Sequence, residues 1–78
     1  MGRYYFHLYD DMVVIDEEGI ELSGPDAARD KGAAMAREMA CAEVLHGQLN
    51  LDHRIEIVDE EAKPVATIHF RDVVAVRG

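Results

Sequence analysis

The chain has 78 residues and a mass of 8.7 kDa, so we expect a single domain spanning residues 1–78, too small for a two-lobed enzyme with a cleft between lobes. Hydrophobic residues make up 49% of the chain, which is enough for one core and argues against wholesale disorder. The 8 basic and 16 acidic side chains give a formal net charge of −8, and this sign opposes binding to a nucleic-acid backbone.

The cysteine content and the hydropathy pattern bear on the cellular compartment. The single cysteine, Cys41, excludes an intrachain disulfide, so no oxidising compartment is implied. No apolar run approaches the roughly 20 residues of a membrane span, and the N-terminus lacks the apolar segment of a signal peptide. We therefore expect a cytoplasmic protein that binds neither membranes nor nucleic acid.

Alternating residue types predict strands before the first long helical segment. The first strand covers Arg3–Tyr9, the Asp10–Asp11 pair turns the chain, and residues 12–15 form a short returning strand. After an acidic turn at residues 16–19, residues 20–22 alternate again and either extend the returning strand past a bulge or form a short edge piece. The first strand presents two faces, one with Tyr4, Phe6 and Leu8 and the other with Tyr5, His7 and Tyr9.

One long helix is predicted from Pro25 to about Leu45, because this stretch is rich in alanine and has no further proline. Ser23 is placed to cap its N-terminus and Gly47 to end it. At 100° per residue, one stripe is expected to face the sheet, made of Ala28, Gly32, Met35, Met39, Ala42 and His46.

A second hairpin completes the predicted fold. Its strands are Arg54–Val58 and Val65–Phe70, with Pro64 opening the second strand, and residues 71–78 fit either a last strand or a helical turn.

These elements predict an α+β fold, a two-layer ββαββ domain with one long helix on one face of an antiparallel-rich sheet of about four strands. If the first and last hairpins meet through their outer strands, the uncovered face carries Tyr5, His7, Tyr9, Thr67 and His69.

Three segments together resemble a known family. They are the N-terminal run Arg3-Tyr4-Tyr5-Phe6-His7-Leu8, the run from Asp16 to Leu22 before the helix, and the second hairpin with Arg54–Glu60 and Phe70–Val73. Over nearly its whole length the chain resembles a family of small bacterial proteins, common in alphaproteobacteria, that is defined only as a domain of unknown function. The resemblance implies a short, stand-alone cytosolic protein and supplies no catalytic residues.

Several residue groups invite a binding function, yet each lacks a necessary feature. The tyrosines of the first strand could stack nucleic-acid bases, but residues 10–26 contain seven acids and no Lys or Arg. None of the four histidines has the spacing of a zinc site. Neither residues 16–19 nor residues 59–61 show the alternating oxygen ligands of a calcium loop. We expect no metal and no cofactor.

No reactive group is predicted either. Cys41 lies in an apolar helical run, where a thiol is usually inert. No nucleophile stands beside a base, and no glycine-rich phosphate loop is present. We therefore expect a protein that is not an enzyme.

The helix points to an interaction function. Val44 and Leu45 lie far from the sheet-facing stripe, and one sheet cannot cover opposite sides of a helix. Either the loop 48–53 and the tail cover them, or a second copy does, or a different partner does.

The favoured hypothesis is a non-enzymatic protein-interaction or regulatory module that self-associates, as a dimer, or binds another protein. Its contact residues would be Cys41, Val44 and Leu45 on the helix, or Tyr5, His7, Tyr9 and His69 on the sheet. The alternative is a small-ligand or metal-binding domain on the Tyr/His face, and it requires the strands of His7 and His69 to be adjacent.

Overall fold

One long helix packs on one face of a five-stranded antiparallel sheet in the computed structural model, which describes residues 1–78. The elements in chain order are β1 (Gly2–Tyr9), β2 (Val13–Val14), β3 (Ile20–Leu22), α1 (Pro25–Leu45), β4 (Arg54–Val58) and β5 (Pro64–His69), followed by a 3-10 turn over Phe70–Asp72. The predicted α+β fold is confirmed. None of the helices combines the length and the apolar character needed to cross a membrane.

The strand order is β2-β1-β4-β5, with β3 also paired to β1. One edge of β1 pairs with β4, from Tyr5 opposite Val58 to Tyr9 opposite Arg54. Its other edge is shared, since β3 pairs with residues 2–4 and β2 with residues 8–9. The segment 13–22 is therefore an interrupted partner strand, which combines the two readings that the sequence left open.

Strands β1 and β4 form the centre of the sheet and supply much of the core. Phe6, Ile55 and Ile57 alternate inward and are buried, as the period of two predicts. The first strand pairs with β4 and not with β5, so the hairpins do not meet in the way that the sequence allowed.

The buried face of α1 differs from the predicted stripe. Ala28, Gly32, Ala36 and Ala40 are buried at intervals of four, Met35 and Met39 are only partly buried, and Ala42 and His46 are exposed. The predicted positions of Ala42 and His46 are therefore wrong. The small residues let the helix backbone approach the sheet closely, so the larger methionines are displaced to its side.

The ends of α1 confirm its predicted range and correct one cap. Gly24 is the N-cap residue and no side chain caps the helix, so the predicted role of Ser23 is wrong. Gly47 ends the helix with a φ of 83°, as expected for a glycine stop. The last strand ends at His69, one residue earlier than predicted, and a 3-10 turn over Phe70–Asp72 takes in the first two residues of the tail. Phe70 is fully buried in this turn, and its N–H donates to the carbonyl of His53 at 2.9 Å.

Candidate interaction surfaces

The uncovered sheet face carries the predicted aromatic residues, but charged side chains lie among them. Tyr5, His7, Tyr9 and His69 are half-buried there. The guanidinium of Arg54 lies over the Tyr9 ring, 4.4 Å from its centroid, and Arg54 Nε donates to Glu56 at 2.9 Å. This ion pair on β4 breaks up the aromatic patch, so the face is not one continuous apolar surface.

His7 and His69 share this face but do not come together. Strand β4 separates their strands, with Glu56 opposite His7 and Arg54 opposite His69. Each histidine has a partner of its own: His7 Nδ1 accepts from the backbone N–H of Asp16 at 3.0 Å, and His69 Nδ1 lies 3.6 Å from Asp72. No three His, Cys, Asp or Glu side chains are placed to hold a metal ion. The ligand-binding alternative required adjacent strands, and this condition is not met.

The C-terminal part of α1 presents an apolar surface, which we call the helix flank and define as Cys41, Val44 and Leu45. All three are exposed, Val44 by 57% and Leu45 by 80%. Neither the loop 48–53 nor the tail covers them, so the reading in which the chain covers its own flank is wrong. Arg37 and Glu38, one turn earlier and also exposed, place both charge signs beside the flank.

A groove runs along the opposite side of α1, where the helix leaves part of the sheet uncovered. Helix α1 packs mainly on β4 and β5, so the core-side face near β2 and the end of β1 at Leu8 stays accessible. The recess there has a volume of about 540 Å³, and its apolar lining includes Leu8, Val14, Ile15, Ile20, Met35 and Met39. Asp16, Glu17 and Glu18 complete its wall.

A second recess of about 270 Å³ shares Leu8 and Met39 with the first and reaches Ala42 and His46. We call the two together the acidic groove. The sequence contained one signal for it, the apolar run Met12–Ile15 beside an acidic turn. Its four side chains are 53–72% exposed.

A buried histidine just before β4, His53, is a second feature that the sequence pattern does not predict. His53 Nδ1–H donates to Glu43 in the last turn of α1, and His53 Nε2 lies 3.5 Å from Asp11. The ring edge packs on Phe70, with the centroids 5.7 Å apart. Burial alone would lower the pKa of His53, but the Glu43 hydrogen bond and the charges of Glu43, Asp11 and Asp10 outweigh it and raise the pKa.

The cluster around His53 holds the loop between α1 and β4 against the last turn of the helix. The other oxygen of Glu43 accepts from the backbone N–H of Asn50 at 2.9 Å, so one carboxylate holds both the middle and the end of the loop between α1 and β4. No local spacing marks these residues, because the carboxylate and the imidazole lie ten positions apart and meet only in the fold.

The acidic turn at residues 16–19 is also structural. The Asp16 carboxylate accepts backbone N–H groups from Phe6, Glu18 and Gly19, each at 3.1 Å. Burial would raise the pKa of Asp16, but these three donors and the nearby His7 outweigh it and lower the pKa. The carboxylate thus takes the place of a strand partner in the gap between β2 and β3.

Comparison with known proteins identifies a family and no closer relative. Neither a curated protein nor a solved structure matches the chain. The family model DUF6894, described as a domain of unknown function, matches residues 3–71. Because this match spans nearly all of the 78 residues, the chain belongs to the DUF6894 family.

Proposed function

We propose that this chain is a non-enzymatic protein-interaction module of the cytoplasm that self-associates through the helix flank. The observation that carries the proposal is the exposure of Val44 and Leu45, by 57% and 80%, on the regular surface of a helix. Adjacent large apolar side chains on a rigid element favour contact with another apolar surface over contact with water.

The charges beside the flank support a second copy of the chain as the partner. With a net charge of −8, two copies repel each other over most of their surfaces. The flank is an exception, since Arg37 and Glu38 place both signs next to its apolar residues. A second copy can therefore approach here without meeting a uniformly negative surface.

The size of the flank sets the expected strength of association. Stable dimers bury about 1,200–2,000 Å² in total, and three side chains on little more than one helical turn supply only part of that area. We expect a dissociation constant of about 10–500 µM, at the weak end of specific association.

Sedimentation equilibrium across this concentration range tests the proposal. The wild-type chain is expected to pass from monomer to dimer, and Leu45→Glu is expected to stay monomeric. Val76→Glu is the matched control, because Val76 is 68% exposed in the tail, outside the flank, and this variant should dimerise like the wild type. A wild-type chain that is monomeric at all concentrations, or a Leu45→Glu variant that still dimerises, contradicts the proposal.

A further inference from the structure

We propose that the acidic groove is a second binding surface, which takes a short amphipathic helix of another protein. This helix would present large apolar side chains at positions i, i+4 and i+7, flanked by Lys or Arg. The groove does not include Cys41, Val44 or Leu45, so this inference does not depend on self-association through the helix flank.

The shape of the groove favours a helix. Because β2 and β3 share one edge of β1, the sheet is four strands wide. At about 4.8 Å between strands it is wider than one helix of about 10 Å diameter, and α1 packs mainly on β4 and β5. The uncovered strip, over β2 and the end of β1 at Leu8, therefore lacks the helical layer that usually completes such a sheet. From Met35 to the C-cap residue His46 the groove follows the end of α1 over twelve residues, or about 16 Å at about 1.5 Å per step, the length of three helical turns.

The apolar floor of the groove suits inserted side chains. Leu8, Ile15 and Ile20 line it from the sheet side, and Met35 and Met39 line it from α1. Methionine side chains adapt to differently shaped apolar partners, and apolar side chains repeated at helical spacing are the usual anchors of a helix in a groove.

The charges of the groove select the partner. No Lys or Arg lines either recess, whereas Glu17 and Glu18 line the larger one and Asp10 the smaller, all three exposed. A second copy of the chain carries a net charge of −8 and would be repelled by this acidic wall. A segment carrying Lys or Arg beside its apolar side chains would instead be attracted and oriented by it.

Peptide selection combined with NMR tests the inference. A displayed library of 16-residue helical peptides is selected against the wild-type chain and counter-selected against Ile15→Asp, which alters the groove at a side chain that is 53% exposed. An enriched peptide is then titrated into ¹⁵N-labelled wild type, into a Glu17→Lys/Glu18→Lys variant and into Val76→Glu, the matched control outside both the groove and the helix flank.

We expect the enriched peptides to be basic and to carry apolar residues at i, i+4 and i+7. Binding should shift the amide signals of Leu8, Ile15 and Met39, weaken about tenfold in Glu17→Lys/Glu18→Lys, weaken with added salt, and be unchanged in Val76→Glu. Failure to enrich any peptide, enrichment of acidic peptides, or shifts confined to the helix flank would overturn the inference. Concentration-dependent shifts of the groove amides in the peptide-free chain would also overturn it, by assigning the groove to a second copy.

Discussion

His53 and Glu43 form the hydrogen-bonded pair that joins the start of β4 to the last turn of α1. Both side chains are largely buried, with 11% and 16% of their surfaces exposed. The pair closes the loop between the helix and the second hairpin, and the Phe70 ring packs against the imidazole. Because this attachment depends on the charge of one imidazole, it links the stability of the domain to pH.

The His53 pair predicts a loss of stability as the pH rises. The folded state raises the pKa of His53 above its ordinary value of 6.5, so the stabilisation is complete below about pH 6.5 and is lost as the pH rises through the folded pKa. The acids that face the ring, Glu43 first and then Asp11 and Asp10, favour the protonated form. Urea unfolding at several pH values between 5.5 and 8.5 measures the effect.

The variant His53→Gln isolates this contribution from the other three histidines. It leaves the Glu43 carboxylate without its cationic partner and should cost about 1–3 kcal/mol at pH 5.5. The difference between wild type and variant should shrink as the pH rises. A difference that is constant over the whole range would show that the charge of His53 contributes nothing to folding.

Asp16 predicts the opposite dependence at acid pH. Its pKa is lowered from an ordinary value of 3.8, so its stabilisation is complete above that pH and is lost as the pH falls through the folded pKa. Asp16→Asn should destabilise the domain by about 1–3 kcal/mol at neutral pH, because a neutral amide accepts the three backbone N–H groups less well. The exposed neighbour gives the control, since Glu17→Gln should change the unfolding free energy by less than about 0.5 kcal/mol. Equal effects of the two substitutions in thermal unfolding would contradict the role assigned to Asp16.

The elements that were predictable are those whose signals are local. The range of α1 follows from Pro25, Gly47 and the alanine-rich stretch between them, and β1 follows from strict alternation. The strand order was not predictable, because residues far apart in sequence decide whether β1 pairs with β4 or with β5. The buried stripe of α1 was only half predictable, since hydrophobicity favours Met35 and Met39 whereas close approach to the sheet favours Gly32 and Ala36.

The candidate surfaces also differ in whether their signals are local in the sequence. The angle of Val44 and Leu45 on the helix predicts that the sheet does not cover them, but it left open whether the loop 48–53 and the tail do, and the structure shows both side chains exposed. The His53 cluster could not, because Asp11, Glu43 and His53 belong to three segments that only the sheet topology brings together. The acidic groove arises because one helix is narrower than the sheet, and this mismatch shows only once the layers are assembled.

Gly19 and Gly47 both have a positive φ, and comparing them tests how tightly the turn after Asp16 packs against β1. Gly19 has a φ of 71°, and a Cβ there would lie 2.8 Å from Arg3 Cγ and 2.9 Å from the carbonyl oxygen of Tyr4. Gly47 has a φ of 83° with nothing within 4 Å. Gly47→Ala should cost about 1–2 kcal/mol, the backbone penalty alone, and Gly19→Ala about 1–3 kcal/mol more, because backbone must move. Equal losses in urea unfolding would mean that the Gly19 turn moves freely away from β1.

The close approach of α1 to the sheet predicts energetic coupling between Gly32 and Ile68. A Cβ on Gly32 would lie 2.7 Å from Ile57 Cδ1 and 2.8 Å from Ile68 Cδ1. Gly→Ala within a helix ordinarily stabilises by about 1 kcal/mol, but here crowding costs about 1–3 kcal/mol and should remove that gain.

The substitution Ile68→Val deletes the Cδ1 methyl and so separates the two effects. Alone it should cost about 0.5–1.5 kcal/mol; combined with Gly32→Ala it should cost at least about 0.5 kcal/mol less, because it also relieves the contact with the new methyl group. Gly24→Ala is the matched control, because a Cβ at position 24 meets nothing within 4 Å. This substitution should therefore not couple to Ile68→Val. Additive effects of Gly32→Ala and Ile68→Val in a double-mutant cycle would mean that α1 can move away from the sheet without loss of stability. The small residues of its buried face would then not set the distance between the helix and the sheet.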